Sequence, residues 1–151
     1  MEIKDVLKSN LEGETLTDAL SFTDYLIEKG LTPMKEWSMG FRFVKNEKSP
    51  CLLVLTGNKD WFLCDFPVVN EAEWGLIGDD LKEFILANVK TCSVYQGNAC
   101  GCGSEPGVSK HIFGKNYDNV CTSEIQFNNP CSNVLDKLRE VIDWWVINIG
   151  A

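Results

Sequence analysis

Three consecutive β-type segments joined by short turns constrain the fold of this chain more than any other feature. Residues 37–43 alternate large apolar side chains with small or polar ones, which is the period of a strand with one buried face. Residues 51–55 are apolar throughout, as in a central strand, and residues 61–66 resume an apolar β-type run. Turn-forming Gly, Asn and Pro fill the short stretches between them. The sequence therefore predicts an antiparallel three-stranded meander.

Three other stretches carry apolar residues at helical spacing. The first predicts a helix over 17–29 that ends at Gly30, in the left-handed conformation typical of helix C-termini. The second predicts a helix from Asp79 to about Lys90, preceded by one short helical turn. The third predicts a helix over 131–147, for which Asn129-Pro130 supplies the cap and the first-turn proline.

The remaining segments complete the predicted fold. Residues 91–119 contain five of the twelve glycines and no sustained periodicity, which predicts one long irregular loop. Residues 121–127 alternate apolar and polar side chains, which predicts a fourth strand. We therefore expect a single α+β domain over residues 1–151. It has an antiparallel sheet of about four strands, a three-stranded meander plus one later strand, with helices packed on one face and a long Cys/Gly-rich loop.

Composition narrows the classes of partner. The chain has 22 acidic and 14 basic residues, a formal charge of −8, and its basic residues are scattered, so we expect no binding to nucleic acid. The longest strongly apolar run, residues 51–55, is far shorter than a membrane span, so we expect no membrane insertion. The first eight residues do not resemble a secretory signal, and seven cysteines cannot all pair within one chain. We therefore expect a cytoplasmic protein with reduced thiols.

The cysteine-rich loop, residues 92–103, is the strongest candidate for a site. Its glycines allow the backbone to fold around a small centre, and thiolates are preferred ligands of zinc. The prediction is a structural zinc ion in a closed tetrahedral site, with His111 as the alternative fourth ligand, although the one-residue and seven-residue spacings differ from those of common zinc motifs. The predicted cysteine ligands are Cys92, Cys100, Cys102 and Cys121.

The same cysteines allow two other interpretations. A redox-active thiol needs nearby cations, which Lys110, His111 and Lys115 could supply to a centre formed by cysteines 100, 102 and 121. Alternatively the thiols are incidental and some pack as small apolar residues. His111 is the one histidine, but no nucleophile motif surrounds it, so no catalytic residue is predicted.

Tryptophans suggest two surfaces. Trp37, Trp61 and Trp74 begin or follow strands of the meander, so they either line an aromatic ligand pocket or fill the core. Trp144 and Trp145 point about 100° apart on the last helix, so one can be buried while the other faces elsewhere. An exposed Trp144 would form a patch for a partner protein or for a homodimer.

A series of short motifs runs through residues 92–130. It reads Cys…Cys-Gly-Cys…Pro-Gly…Phe-Gly-Lys…Asp-Asn-Val-Cys…Asn-Pro. In these motifs the chain resembles a family of small bacterial domains of unknown function, and the front half is similar in element order to YdhG-like α+β domains. The resemblance implies that the cysteine-rich loop and the Phe-Gly-Lys segment act as one unit, and it implies no catalytic residue.

The expected function follows from these observations. We expect a non-enzymatic cytoplasmic domain that binds an unknown small molecule or protein and carries structural zinc in the cysteine-rich loop. A thiol-dependent oxidoreductase or redox sensor is the first alternative. A protein-interaction domain that uses the C-terminal helix is the second.

Overall fold

The computed structural model describes residues 2–91 and 107–151, apart from the side chains of Thr122 and Ser123. The described chain forms two compact units, Met1–Cys64 with Phe127–Ala151 and Asp65–Gln126. The single domain expected over residues 1–151 stays a prediction.

The first unit contains a four-stranded antiparallel sheet. Its strands pair in chain order: β1 with β2, β2 with β3, and β3 with β4. Every residue of β3 from Pro50 to Leu55 is buried, which confirms the predicted central strand at residues 51–55. The bounds are β1 Thr32–Trp37, β2 Gly40–Lys45, β3 Lys48–Leu55 and β4 Trp61–Cys64.

The single strand predicted over residues 37–43 is wrong. Trp37 ends β1, the chain turns at residues 38–39, and β2 begins at Gly40. Phe41 and Phe43 are buried as the alternation predicts, but Trp37 is 45% exposed. The alternation thus continues through a hairpin turn. Alternation alone cannot distinguish one continuous strand from two strands joined by a tight turn.

Three helices complete the first unit: α1 Ile3–Asn10, α2 Gly13–Glu28 and α5 Ser132–Asn148. The predictions of α2 and α5 are confirmed, although α2 begins four residues earlier than expected, and α1 was not predicted. Gly30 has φ +86°, and the N–H groups of Gly30 and Leu31 donate to the carbonyls of Ile27 and Leu26. These two bonds form the Schellman motif that ends α2.

Helix α5 begins differently from the prediction. Cys131 is its N-cap, so Pro130 precedes the helix and does not occupy its first turn. Asn129 instead bonds to the start of β4: its backbone N–H donates to the Trp61 carbonyl (2.8 Å), and its Oδ1 accepts the Trp61 N–H (2.9 Å). Its amide nitrogen also donates to Asp60 (2.9 Å). Asn129 therefore extends the pairing of β4 with a side chain.

The second unit contains two helices and three strands. The helices are α3 Glu71–Trp74 and α4 Asp79–Leu86, and the antiparallel strands are β5 Val89–Thr91, β6 Val108–Ile112 and β7 Lys115–Asn128, whose last two residues belong to the first unit. β5 and β6 both pair with β7. Phe113 and Gly114, both at positive φ, form the turn between β6 and β7.

The irregular loop predicted over residues 91–119 is therefore wrong for residues 107–119. β6 exposes most of its side chains on both faces, so its sequence carries no apolar alternation, and pairing with β7 supplies the regular structure. The sheet of about four strands is also wrong, since the described residues form seven strands and five helices. The α+β composition is retained. No helix within residues 2–91 or 107–151 has the length and apolar character needed to cross a membrane.

Helices α2 and α5 are joined by a polar cluster around Tyr25. The Tyr25 hydroxyl contacts the Asp143 carboxylate and the Arg139 carbonyl (2.8 Å), and Lys29 pairs with Asp143 at 2.9 Å. Burial raises the pKa of Tyr25, and the contact with Asp143 raises it further. Burial also acts to raise the pKa of Asp143, but the bonds from Tyr25 and Lys29 outweigh it and lower that pKa.

Removing the hydroxyl should weaken the first unit. We expect Tyr25→Phe to lower the free energy of unfolding by about 1–2 kcal/mol at neutral pH. The reason is that the charged Asp143 carboxylate loses the hydrogen bond from the Tyr25 hydroxyl. The pKa of Asp143 is lowered by folding, so this contribution is present above the ordinary carboxyl pKa and is lost as pH falls through the lower folded value. The difference between wild type and variant should therefore shrink below about pH 4. Urea denaturation at several pH values measures it.

The control is Glu140→Gln on α5, the helix that carries Asp143. It removes an exposed pair with Lys137 (3.4 Å), which contributes about 0–0.5 kcal/mol. Equal urea midpoints of unfolding for Tyr25→Phe and Glu140→Gln at neutral pH would contradict a stabilising role for the Tyr25 cluster.

Asn129 should contribute more to the stability of the first unit than an ordinary surface asparagine. We expect Asn129→Ala to cost about 2–3 kcal/mol, because the N–H of buried Trp61 loses its acceptor and alanine is strained at φ +41°. Asn148→Ala removes only a local bond to the Trp144 carbonyl on the exposed side of α5 and serves as the control. Thermal melting measures both, and a variant at position 129 as stable as the control would refute the role of its side chain.

Candidate functional site

Most of the predicted zinc ligands lie outside the described residues. Cys92, Cys100 and Cys102 belong to that part of the chain, so the zinc and redox predictions that need them stay predictions. Cys121 is described and is buried in β7, with 2% of its surface exposed. Within residues 2–91 and 107–151, no three His, Cys, Asp or Glu side chains lie together in a group that could hold a metal ion.

His111 does not lie beside Cys121. It is exposed in β6 and pairs across the hairpin with Asn116, whereas Cys121 follows Val120, which pairs with Val108. Val108 and His111 are three residues apart along β6, about 10 Å, and Cys121 lies one residue beyond the partner of Val108. The neighbours of His111 are instead Asn116 and Glu71.

The other cysteines divide into buried and exposed ones. Cys51 and Cys64 are buried in β3 and β4, which confirms that they are core residues. Cys131 is exposed at the N-cap of α5.

The three tryptophans predicted to line one pocket or to fill the core are divided between the two units. Trp61 and Trp74 are fully buried, and Trp74 belongs to the second unit. Trp37 lies on β1 and Trp61 on β4, three strand spacings or about 14 Å apart across the first sheet. The Trp37 ring packs on Gly40, where an added Cβ would lie 2.6 Å from three ring atoms. Trp37 thus covers the backbone of its own hairpin.

The predicted interaction residue, Trp144, is half-buried on α5. Its neighbour Trp145 is buried, as one of the two indoles was expected to be. Ile147, one turn further along the helix, is 73% exposed. An apolar side chain is therefore available on this helix next to Trp144.

The structure adds a groove that the sequence did not predict. It has a volume of about 640 Å³ and lies on one face of the β1–β2 hairpin, in the first unit. Cross-strand pairing places Met34 opposite Arg42 and Thr32 opposite Val44, so alternate residues of both strands line the same face. The lining residues are Gly30, Thr32, Met34, Glu36, Arg42, Val44, Lys45 and Asn46.

One side of the groove is apolar and neutral. Met34 is 53% exposed, which makes it one of the large apolar side chains open to solvent. Beside it, the Arg42 guanidinium binds both carboxylate oxygens of Glu36, so these two charges largely cancel. This side therefore presents an aliphatic contact with little net charge.

The other side carries an ammonium group. Lys45 donates to the Lys29 carbonyl (3.0 Å) at the end of α2, where the absence of a side chain at Gly30 lets its stem approach. Lys45 makes no ion pair with a carboxylate in the part of the chain that the structure describes. Because a lysine ammonium has three donors, the group can bind a further acceptor.

No pattern in the sequence indicates this groove. β1 reads Thr-Pro-Met-Lys-Glu-Trp, with no apolar alternation, and Met34 is separated from Lys45 by a hairpin that was not predicted. The nearest feature in the sequence is Asn46, a residue type that tolerates positive φ. It adopts positive φ together with Glu47 in the turn that ends β2.

Comparison with known proteins gave no match to this chain. No family model, no curated protein and no solved structure matched it. The resemblance to small bacterial domains through the cysteine motifs stays a prediction. The assignment of function therefore depends on the residues of the chain itself.

The zinc prediction can be tested directly. We expect native mass spectrometry of protein purified without chelator to show one zinc ion per chain, because four thiolates form a closed tetrahedral site. Cys121→Ser should lose the ion, whereas Cys131→Ser, at the exposed N-cap of α5, should keep it. A metal-free chain with a deficit of two protons would support the redox alternative, and the full complement of free thiols without metal would contradict both.

Proposed function

We propose that this protein is a non-enzymatic binding domain that holds a short segment of a partner protein in the β1–β2 groove. The observation that carries the proposal is a groove of about 640 Å³ with the exposed Met34 side chain on one side and the Lys45 ammonium on the other. Ligand sites typically combine an apolar lining with a few fixed polar groups. Zinc in the cysteine-rich loop would be a structural ion in such a domain.

The chemistry of the groove favours a segment with an apolar side chain next to a carboxylate. The apolar side chain would cover Met34 and Val44, and the carboxylate would bind Lys45. The Glu36–Arg42 pair already satisfies its own charges, so it would border the segment without requiring a charged partner. The Asn46 amide is occupied by the Gly150 carbonyl (2.8 Å), which fixes this end of the groove.

The segment is expected to lie on the face of the sheet and not to extend it. β1 is an edge strand of the first unit, but it contains Pro33, which has no N–H to donate, and Lys35. Proline and lysine are the residues that protect edge strands from pairing with another chain. Contacts through side chains on the face are the alternative, and they suit an affinity in the micromolar range.

A peptide selection tests this proposal. A displayed library of random twelve-residue peptides is selected on the wild-type chain, and enriched peptides are synthesised and titrated by fluorescence anisotropy. We expect enriched sequences to contain an aliphatic residue next to Asp or Glu. Met34→Glu should lower their affinity at least about tenfold, because the methionine contact is worth about 1.5–3 kcal/mol and a carboxylate repels the acidic segment.

The control replaces a comparable side chain elsewhere. Ile147→Glu introduces the same charge at an exposed apolar position of α5, and both variants should fold because both positions are open to solvent. Unchanged binding by the Ile147 variant with loss in the Met34 variant supports the groove. The reverse pattern would place the interaction on the C-terminal helix near Trp144, and peptides that bind both variants equally would refute both surfaces.

A further inference from the structure

The single histidine of the chain belongs to a polar cluster in the second unit. His111 of β6 lies opposite Asn116 of β7, and its Nδ1 is 2.8 Å from the Asn116 Oδ1. On the other side of the ring, Nε2 is 3.6 Å from Oε1 of Glu71, the first residue of α3. The side chains of His111 and Glu71 are each about half exposed, so solutes can reach the space between them.

The hydrogen bond to Asn116 determines what Nε2 can do. The amide oxygen accepts a hydrogen bond, so Nδ1 carries a proton. In the neutral ring, Nε2 then holds a lone pair that faces the carboxylate of Glu71. Two electron-rich atoms in this arrangement repel one another unless a proton or a metal cation lies between them.

From this geometry we infer that Glu71 and His111 bind a divalent transition-metal ion of the zinc class, with water as the remaining ligands. Two ligands at 2.0–2.1 Å around a tetrahedral ion are about 3.4 Å apart, so the observed 3.6 Å requires only a small adjustment. Imidazole with carboxylate suits zinc, copper or nickel, whereas calcium and magnesium prefer oxygen ligands alone.

Two further contacts orient the proposed ligands. Asn116 holds the ring with Nε2 towards Glu71, as hydrogen-bond partners of metal-binding histidines do. The Gly114 N–H lies 3.4 Å from the same oxygen of Glu71 and keeps the carboxylate over the β6–β7 turn. At this turn the Lys82 ammonium lies over the Phe113 ring (5.6 Å).

This site differs in its ligands from the four-cysteine zinc site predicted for the cysteine-rich loop. It uses no thiolate, and with two protein ligands it is open, whereas four cysteines would form a closed site. A measurement of total zinc would not separate them. A measurement on the imidazole nitrogen of Glu71→Gln does, because His111 is also the alternative fourth ligand of the cysteine site and only the site proposed here requires Glu71.

The test is a zinc chloride titration of the full chain labelled with ¹⁵N-histidine, continued beyond the amount that the thiols bind. We expect the Nε2 resonance to move to the range of metal-bound nitrogen while Nδ1 stays protonated, and calcium chloride to leave both nitrogens unchanged. Glu71→Gln should raise the zinc concentration required at least about tenfold. Asn116→Ala should raise it by about 10–100-fold through loss of ring orientation.

The matched control is Glu73→Gln, two residues along the same short helix, whose carboxylate accepts a bond from Asn70 (2.8 Å). Its titration should match that of the wild type. An Nε2 resonance that does not respond to millimolar zinc would overturn the inference. So would a response that is equal in the Glu71 and Glu73 variants, because it would show that histidine binds zinc without the carboxylate.

Discussion

Burial of β3 on both faces is the constraint on which the first unit depends. Five consecutive side chains, Cys51 to Leu55, leave almost no surface in water, so both edges of the strand must be paired and both faces covered. β2 and β4 supply the pairing, and the short turns make all of it antiparallel. β1 is then left at the edge of this sheet, with Met34 open to solvent. The groove is a consequence of that order of strands.

The end of α2 determines the polar side of the groove. Gly30 terminates the helix in a Schellman motif and, lacking a side chain, lets Lys45 reach the Lys29 carbonyl. The macrodipole and the last carbonyls of a helix favour a cation at this position. The interaction that completes the helix therefore also holds an ammonium group beside exposed apolar surface, so a change at Gly30 would alter both stability and the groove.

Local patterns predicted those parts of the fold whose energetics are local. Helices α2 and α5, the left-handed Gly30 and the central β3 follow from periodicity and from burial of consecutive residues.

The turn at residues 38–39 was missed because the alternation continues through it. β6 was missed because its side chains are exposed on both faces and its structure comes from pairing with β7. Asn129 was interpreted as a helix cap, whereas its amide bonds to a strand 68 residues away. The two candidate sites have the same origin, because each joins residues that are distant in sequence: Glu71 of α3 contacts His111 of β6, and Met34 and Lys45 line one groove. No local pattern encodes either arrangement.

The net charge of −8 affects the two proposed sites in opposite directions. A divalent cation is attracted by the chain as a whole, so the field of the protein helps an open site with only two ligands. An acidic peptide is repelled at long range, and in the groove it is attracted by Lys45 at short range. Salt at about 0.1 M screens interactions beyond roughly 10 Å and leaves contact pairs less affected. Physiological salt therefore weakens the long-range repulsion of an acidic peptide more than it weakens the contact of that peptide with Lys45. It also weakens the long-range attraction of the chain for metal ions. The proposed groove is thus selective, because a segment bound in it gains from its acidic group when that group reaches Lys45.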